Sequence, residues 1–223
     1  MLKVFKTDDP GTLKIKALHW ANSFETACYF DSNLYSDPYS AFDVFIAAGS
    51  AAVLKSSGGR NLSDLEHFLQ GQKTYIPGFL GYDLKNEIED LESLNPDYLG
   101  FPDLYFFIPQ HTLLIKGEQV FIYSSESERI WESINAIIIP QATENTFEPQ
   151  IRSRFSKDEY VATVQQLQKH IRRGDIYEVN FCQEFYAENA IINPLEVFID
   201  LNKISPTPFS NFFKIKDNFI ISA

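Results

Sequence analysis

Two residues, Gly117-Glu118, are all that separate two apolar runs in "DLYFFIPQHTLLIKGEQVFIYSS", residues 103–125. A connection that short can join only antiparallel neighbours, because a parallel crossover needs a dozen residues or more. Pro109-Gln110 interrupts the same stretch a little earlier, so it reads as three strands of an antiparallel meander. "DVFIAAGS" and "AAVLKSSGG" likewise read as two short strands joined near Gly49-Ser50 and closed by Ser56-Ser57-Gly58-Gly59. With 20 Phe and 11 Tyr, the chain is rich in residues that pack well across strands.

Helical grammar is interleaved with these runs. In "LSDLEHFLQG", Ser63 is the expected cap, Glu66 completes a capping box and Gly71 stops the helix. "PGFLGYDLKNEIEDLESL" is expected to turn helical near Asp83, with Leu84, Ile88 and Leu91 on one face. "SESERIWESINAIII" reads as a further helix, and Pro140–Pro149 as a linker or crossover. The segment from Phe155 is the most explicit. Ser156 and Glu159 form a capping box, and Tyr160, Val164, Leu167 and Ile171 make an apolar stripe. Arg172 and Arg173 suit the negative helix end, and Gly174 closes it. The period then changes to two: Tyr177, Val179, Phe181 and Phe185 alternate with Glu178, Asn180, Cys182 and Glu184, predicting a strand. "NPLEVFIDLNK" carries Asn193 as cap, Pro194 in the first turn and Glu196 at the third position. A hairpin with its turn at Asp217-Asn218 ends the chain. The fold class is α+β, antiparallel sheet packed against helices. The organisation expected is an N-terminal region over 1–140, a linker over 141–155 and a further region from 156 to 223.

Composition excludes several function classes. A net charge of −11 argues against a nucleic-acid surface, which needs clustered Lys and Arg. No stretch approaches the roughly 18 apolar residues of a membrane span, and no signal peptide is evident at the N-terminus. Cys28 and Cys182 have no metal-ligand spacing and fit a reducing compartment, so a cytoplasmic location is expected. Local motifs alone give no catalytic constellation: GxSxG, Walker loop, HExxH and CxxC are all missing. The two glycines of "GFLGYD" read as a tight-packing turn rather than a phosphate loop. The face bearing Glu178, Asn180 and Glu184 either lines a polar cleft or meets water. The stiff "SPTPF" segment either ends a helix or offers a ledge to a ligand.

Several stretches taken together resemble a known family. "GDIYEVNFCQEF", "NPLEVFIDLNKISPTPFSNFF", "DPYSAFDVFIAA" and "GFLGYDLKNEIEDL" are similar to marks of the chorismate-utilising enzymes, the large synthase subunits of anthranilate and aminodeoxychorismate synthesis. Pro38-Tyr39-Ser40-Ala41-Phe42-Asp43 leans toward component I of aminodeoxychorismate (para-aminobenzoate) synthase. The resemblance implies a part of the two-sheet sandwich of that family. It further implies an N-terminal portion of a longer enzyme, with the catalytic and magnesium-binding residues expected beyond Ala223 and none within 1–223.

By the same resemblance, a tryptophan-type pocket falls to Ser32, Tyr39, Ser40, Ala41, Phe42, Pro208, Phe209 and Ser210, and Glu178, Asn180 and Glu184 line the catalytic cleft. Two positions depart from the family pattern. Ala41 stands where the family carries Arg, and Asp31 sits beside the pocket serine where the family is apolar. A lost cation and an added acid both disfavour a free carboxylate. The implied chemistry is amination of chorismate to 4-amino-4-deoxychorismate, with Mg2+, for folate synthesis. Ammonia would come from a glutamine amidotransferase subunit. The alternatives are component I of anthranilate synthase and, from another class, a non-catalytic amino-acid-binding module.

Overall fold

The computed structural model describes residues 1–35, 37–56, 59–92, 94–140 and 149–223. Contacts divide the chain into two compact units, Met1–Gln141 with Pro194–Ala223, and Ala142–Asn193. The first contains β1 (Leu2–Lys6), α1 (Pro10–Asn22), β2 (Thr26–Asp31), β3 (Val44–Lys55), α2 (Asn61–Leu69) and β4 (Gly78–Leu80). A 3-10 turn over Tyr82–Glu87 leads to β5 (Leu104–Lys116), β6 (Gln119–Tyr123) and α3 (Ser127–Ala136). The second unit holds β7 (Arg152–Ser153), α4 (Lys157–Arg173) and β8 (Phe185–Tyr186). The chain then returns to the first unit with α5 (Pro194–Ile204), β9 (Ser210–Ile215) and β10 (Asn218–Ser222). The region expected to run unbroken from 156 to 223 is therefore divided at residue 193, because β9 pairs with β2.

One eight-stranded antiparallel sheet in the order β1-β6-β5-β3-β2-β9-β10, with β4 added to β5, organises the first unit. Strand alternation sends Tyr29, Ile46, Leu113, Ile122 and Phe212 to one face, where Leu18, Ile130, Ile134 and Phe198 of α1, α3 and α5 cover them. Cys28, Phe45, Ala47, Phe107 and Phe213 point the other way into an aromatic layer with Phe30, Phe42 and Phe79. The middle of the sheet is thus buried on both faces, which explains why β2 and β3 read as apolar runs rather than alternations. Burying Phe198 alone stabilises the fold by about 1.5–3 kcal/mol.

Several local expectations are corrected by tertiary context. The two runs split at Gly49-Ser50 form one strand, and so do the two split at Pro109-Gln110. The interruptions lie opposite each other: Ser50 pairs with Pro109, and the register shifts between Ser50 and Ala52. A bulge removes a donor from the ladder where proline has none to give. Gly49 takes φ +67°, and a Cβ there would run into the Gln110 side chain. The cap of α2 is not Ser63, which lies inside the helix. The Glu87 carboxylate supplies it from 26 residues away, accepting from Asn61 N at 3.0 Å, Leu62 N at 3.3 Å and the Asn61 side chain. The helix expected from Asp83 to Leu91 ends at Glu87; Leu84 is buried, whereas Ile88 and Leu91 are exposed. Gly78 packs tightly, since a Cβ would strike the Phe106 ring and the Tyr105 carbonyl. The final hairpin turns at Lys216-Asp217, one residue early, with Lys216 at φ +52°. Pro140–Pro149 lies mostly outside the described residues. Helix α1 carried a legible start in Asp9-Pro10: the Asp9 side chain accepts from Thr12 N at 2.9 Å.

In the second unit α4 has the expected ends, with the Ser156–Glu159 capping box and Gly174 at φ +85°. The strand expected over 177–185 shrinks to Phe185-Tyr186, paired with Arg152-Ser153. Period-two alternation makes a strand only when something takes its hydrogen bonds and covers its apolar face. Here Tyr177, Val179 and Phe185 are exposed, and α4 has no buried residue.

Burial pushes the Cys28 thiol well above its ordinary value near 9. The folded state therefore keeps the proton that the unfolded chain releases. Stability is full below the unfolded value and declines as pH rises past it. The expected slope is about 1.4 kcal/mol per pH unit above about pH 9. Urea midpoints measured from neutral pH to about pH 10, below the range where the buried Tyr29 phenol adds its own decline, should show this loss, and Cys28→Ala should flatten it.

Candidate functional site

The pairing of β2 with β9 sets Asp31 opposite Ser210. That register brings the turn after β2 against the loop before β9, although about 175 residues separate them in sequence. Between them opens a cavity of about 430 Å³. Its walls include Ser32, Ser40 and Phe42 from the β2–β3 connection, Pro208 and Phe209 from the loop before β9, and Ser210 at the start of that strand. Six of the eight residues assigned by resemblance to a tryptophan-type pocket thus converge. Tyr39 and Ala41 do not line the cavity; both are exposed, Tyr39 at 93%. Phe30, Tyr35, Asp37, Asp43 and Asn211 complete the wall and were not legible from sequence as pocket residues. No short-range signal could have found them, since they are gathered by strand pairing.

Asn33 locks the two sides together. Its residue sits at φ +49°, a conformation that asparagine tolerates well. The amide nitrogen lies 2.8 Å from Asn202 Oδ1, 2.7 Å from the Thr207 carbonyl and 2.8 Å from Ser210 Oγ. Ser210 Oγ donates in turn to Asn202 Oδ1 at 2.6 Å. The "SPTPF" ledge is therefore fixed by α5 and by the turn after β2, not by proline stiffness alone.

Asp31 is the buried charge of the wall. Lys14 Nζ and the Tyr29 hydroxyl donate to Oδ2 at 2.8 and 2.7 Å, and Asn33 N donates to Oδ1 at 2.8 Å. A buried carboxylate survives only when paired and hydrogen-bonded in this way. Burial, then the charge of Asp31 and its hydrogen bond, hold the Tyr29 phenol far above its usual range, so it remains a donor. Ser32 Oγ is buried without a hydrogen-bond partner among the described residues, which is uncommon for a buried hydroxyl.

The cleft residues expected from resemblance are exposed. Glu184 is held by Arg154 at 2.8 Å, and that guanidinium also stacks on Tyr186 at 3.7 Å. Glu178 and Asn180 lie in the stretch that is not a strand. Among the described residues no three His, Cys, Asp or Glu side chains come together to hold a metal. The described residues therefore do not fit a magnesium site.

Residues 25–223 match the family described as chorismate binding enzyme, and the chain belongs to that family. It is 27% identical over 168 residues to anthranilate synthase component 1 of Cereibacter sphaeroides, which covers 66% of this chain and 33% of that protein. It is also 27% identical over 150 residues to aminodeoxychorismate synthase component 1 of Klebsiella aerogenes, covering 65% and 33% respectively. The crystal structure of anthranilate synthase component I from Streptococcus pneumoniae superimposes with a TM-score of 0.65 at 22% identity, over 85% of this chain and 51% of that one. The likeness bears out the α+β fold. The chain spans about a third of the length of the curated relatives it matches.

Asn33→Ala should remove the hydrogen bonds that join the two sides of the cavity and leave Asn202 Nδ2 without its acceptor, while Ser210 keeps its bond to Asn202 Oδ1. A loss of about 1–3 kcal/mol is expected, read as a lower urea midpoint.

Proposed function

We propose that the chain is the pocket-bearing portion of the large subunit of an aminodeoxychorismate synthase, the enzyme that aminates chorismate to 4-amino-4-deoxychorismate. Membership of the chorismate binding enzyme family carries this reading. The choice of product is supported by Pro38-Tyr39-Ser40-Ala41-Phe42-Asp43, whose Ser40 and Phe42 line the cavity. Relatives bearing the anthranilate name match at the same 27% identity, so anthranilate synthase component I is the second reading. In either case ammonia would be delivered by a glutamine amidotransferase subunit, and magnesium would be held by residues outside these 223. The cavity at Ser32 and Pro208–Ser210 is, on this proposal, a ligand pocket of the tryptophan type, apart from the chemistry. The Glu178, Asn180 and Glu184 segment would complete its strand, and line a polar cleft, only when a further strand covers it. No helix among the described residues is long and apolar enough to cross a membrane, in keeping with a cytoplasmic enzyme.

Complementation tests the reading. The complete reading frame that contains this chain should restore growth of a para-aminobenzoate auxotroph, and residues 1–223 alone should not. Rescue of a tryptophan auxotroph instead would select the anthranilate reading. Rescue of neither strain by well-expressed protein would overturn both.

A further inference from the structure

Pairing of β5 with β6 ends at Thr112 and Tyr123, and the next residue outward on each strand is polar, His111 on one and Ser124 on the other. Their side chains meet, with His111 Nδ1 at 2.9 Å from Ser124 Oγ. Ser124 Oγ also accepts from Glu126 N at 3.0 Å, where the chain turns into α3. Ser124 is buried, and the nearby carbonyls of Ile122 and Ser124 already accept from Ser127 Oγ. Among the described residues the Ser124 hydroxyl proton therefore has one acceptor, His111 Nδ1. The hydrogen-bond pattern thus assigns the neutral tautomer, with the ring proton on Nε2.

The other sides of the ring are apolar. Trp20 of α1 and Phe24 just after that helix approach it at 5.9 and 5.7 Å between ring centroids, and Ala48 of β3 is its cross-strand neighbour. Glu126 is the charged group that acts on the ring, and its carboxylate also pairs with Arg129 at 3.3 Å. Burial disfavours the imidazolium more than Glu126 favours it, so the ring holds a proton less tightly than an ordinary histidine. We propose that His111 is a proton-operated latch joining β5, the end of α1 and the first turn of α3. The junction lies outside the cavity at Ser32 and Pro208–Ser210, so the latch does not depend on which chorismate product the enzyme makes.

The latch works through a short relay. With the ring neutral, Glu126 N donates to Ser124 Oγ and Ser124 Oγ donates to His111 Nδ1, so each group is satisfied. A proton on Nδ1 reverses the second bond. Ser124 Oγ then receives two donors, and its own proton is left without an acceptor in a buried place, which is costly. Turning the hydroxyl away relieves that cost but releases Glu126 N, and α3 has no side-chain cap to replace it. The folded state therefore binds this proton less well than the unfolded chain. The latch contributes fully above about pH 6.5, the unfolded value, and its contribution is lost as the pH falls below it.

An NMR titration of the protein from about pH 8 to about pH 5 tests the latch. The His111 ring should titrate below about pH 6.5, and the Glu126 amide should shift with the same midpoint. Hydrogen-exchange protection of the Ile130 amide, which donates to the Glu126 carbonyl, should fall about tenfold over that range relative to amides of β2. Ser124→Ala keeps the ring and breaks the relay, so the Glu126 amide should no longer follow it. His111→Gln should hold the protection of α3 constant with pH. His19→Gln removes the other histidine whose proton affinity burial lowers, and it should leave the response of α3 intact. A His111 midpoint at or above about pH 6.5 would overturn the proposal. So would a Glu126 amide that stays still while the ring titrates, or an α3 response that persists in His111→Gln.

Discussion

Everything in the first unit depends on the pairing of β2 with β9. It joins Thr26–Asp31 to Ser210–Ile215 across most of the chain's length, so the entropy of closing a very long loop must be met at that seam. Backbone hydrogen bonds alone contribute too little, because they replace bonds to water. The compensation comes from burial on both faces: Tyr29, Phe212 and Phe198 on the helical side, Cys28 and Phe213 on the aromatic side. Edge-on ring contacts such as Phe107–Phe213 at 5.9 Å add to the area buried.

The cavity is a consequence of the same seam. Once Asp31 is set opposite Ser210, the residues just beyond each strand end must face each other, and whatever they carry becomes a wall. The polar groups that end up inside are then satisfied or left over. Asp31 is fully used, with its charge balanced by Lys14, and Asn33 ties the turn to α5 and the ledge. Ser32 Oγ is left over among the described residues. Such remainders in a cavity are what give a pocket its chemical preference.

The second unit shows the opposite condition. Its helix has good caps at both ends and an apolar stripe, yet Tyr160, Val164 and Leu167 are only partly buried. Stacking of Tyr160 on Phe181 at 5.1 Å and of Arg154 on Tyr186 orders the segment locally. A helix of this length is held mainly by packing rather than propensity. Among the described residues, the alternating stretch after it likewise has no partner strand before Phe185.

What could be read directly from the residues is what depends on near neighbours. The Ser156–Glu159 box, Gly174 and the Gly117-Glu118 turn act within a few residues, and all three appear where the sequence put them. The antiparallel class followed from connection lengths, and the family from four short segments. Tertiary structure decided the rest, because the deciding partner was far away. Glu87 capped α2 in place of Ser63, and Pro109 met the bulge at Ser50 so that two pairs of short runs became two long strands. Six of the eight positions named by resemblance line one cavity, and Pro208, Phe209 and Ser210 reach the β2–β3 residues only through the β2–β9 register. Local rules see the hydrogen bonds and backbone angles that a residue can satisfy with its neighbours. Burial and charge pairing depend on distance in space, and only the folded chain sets that distance.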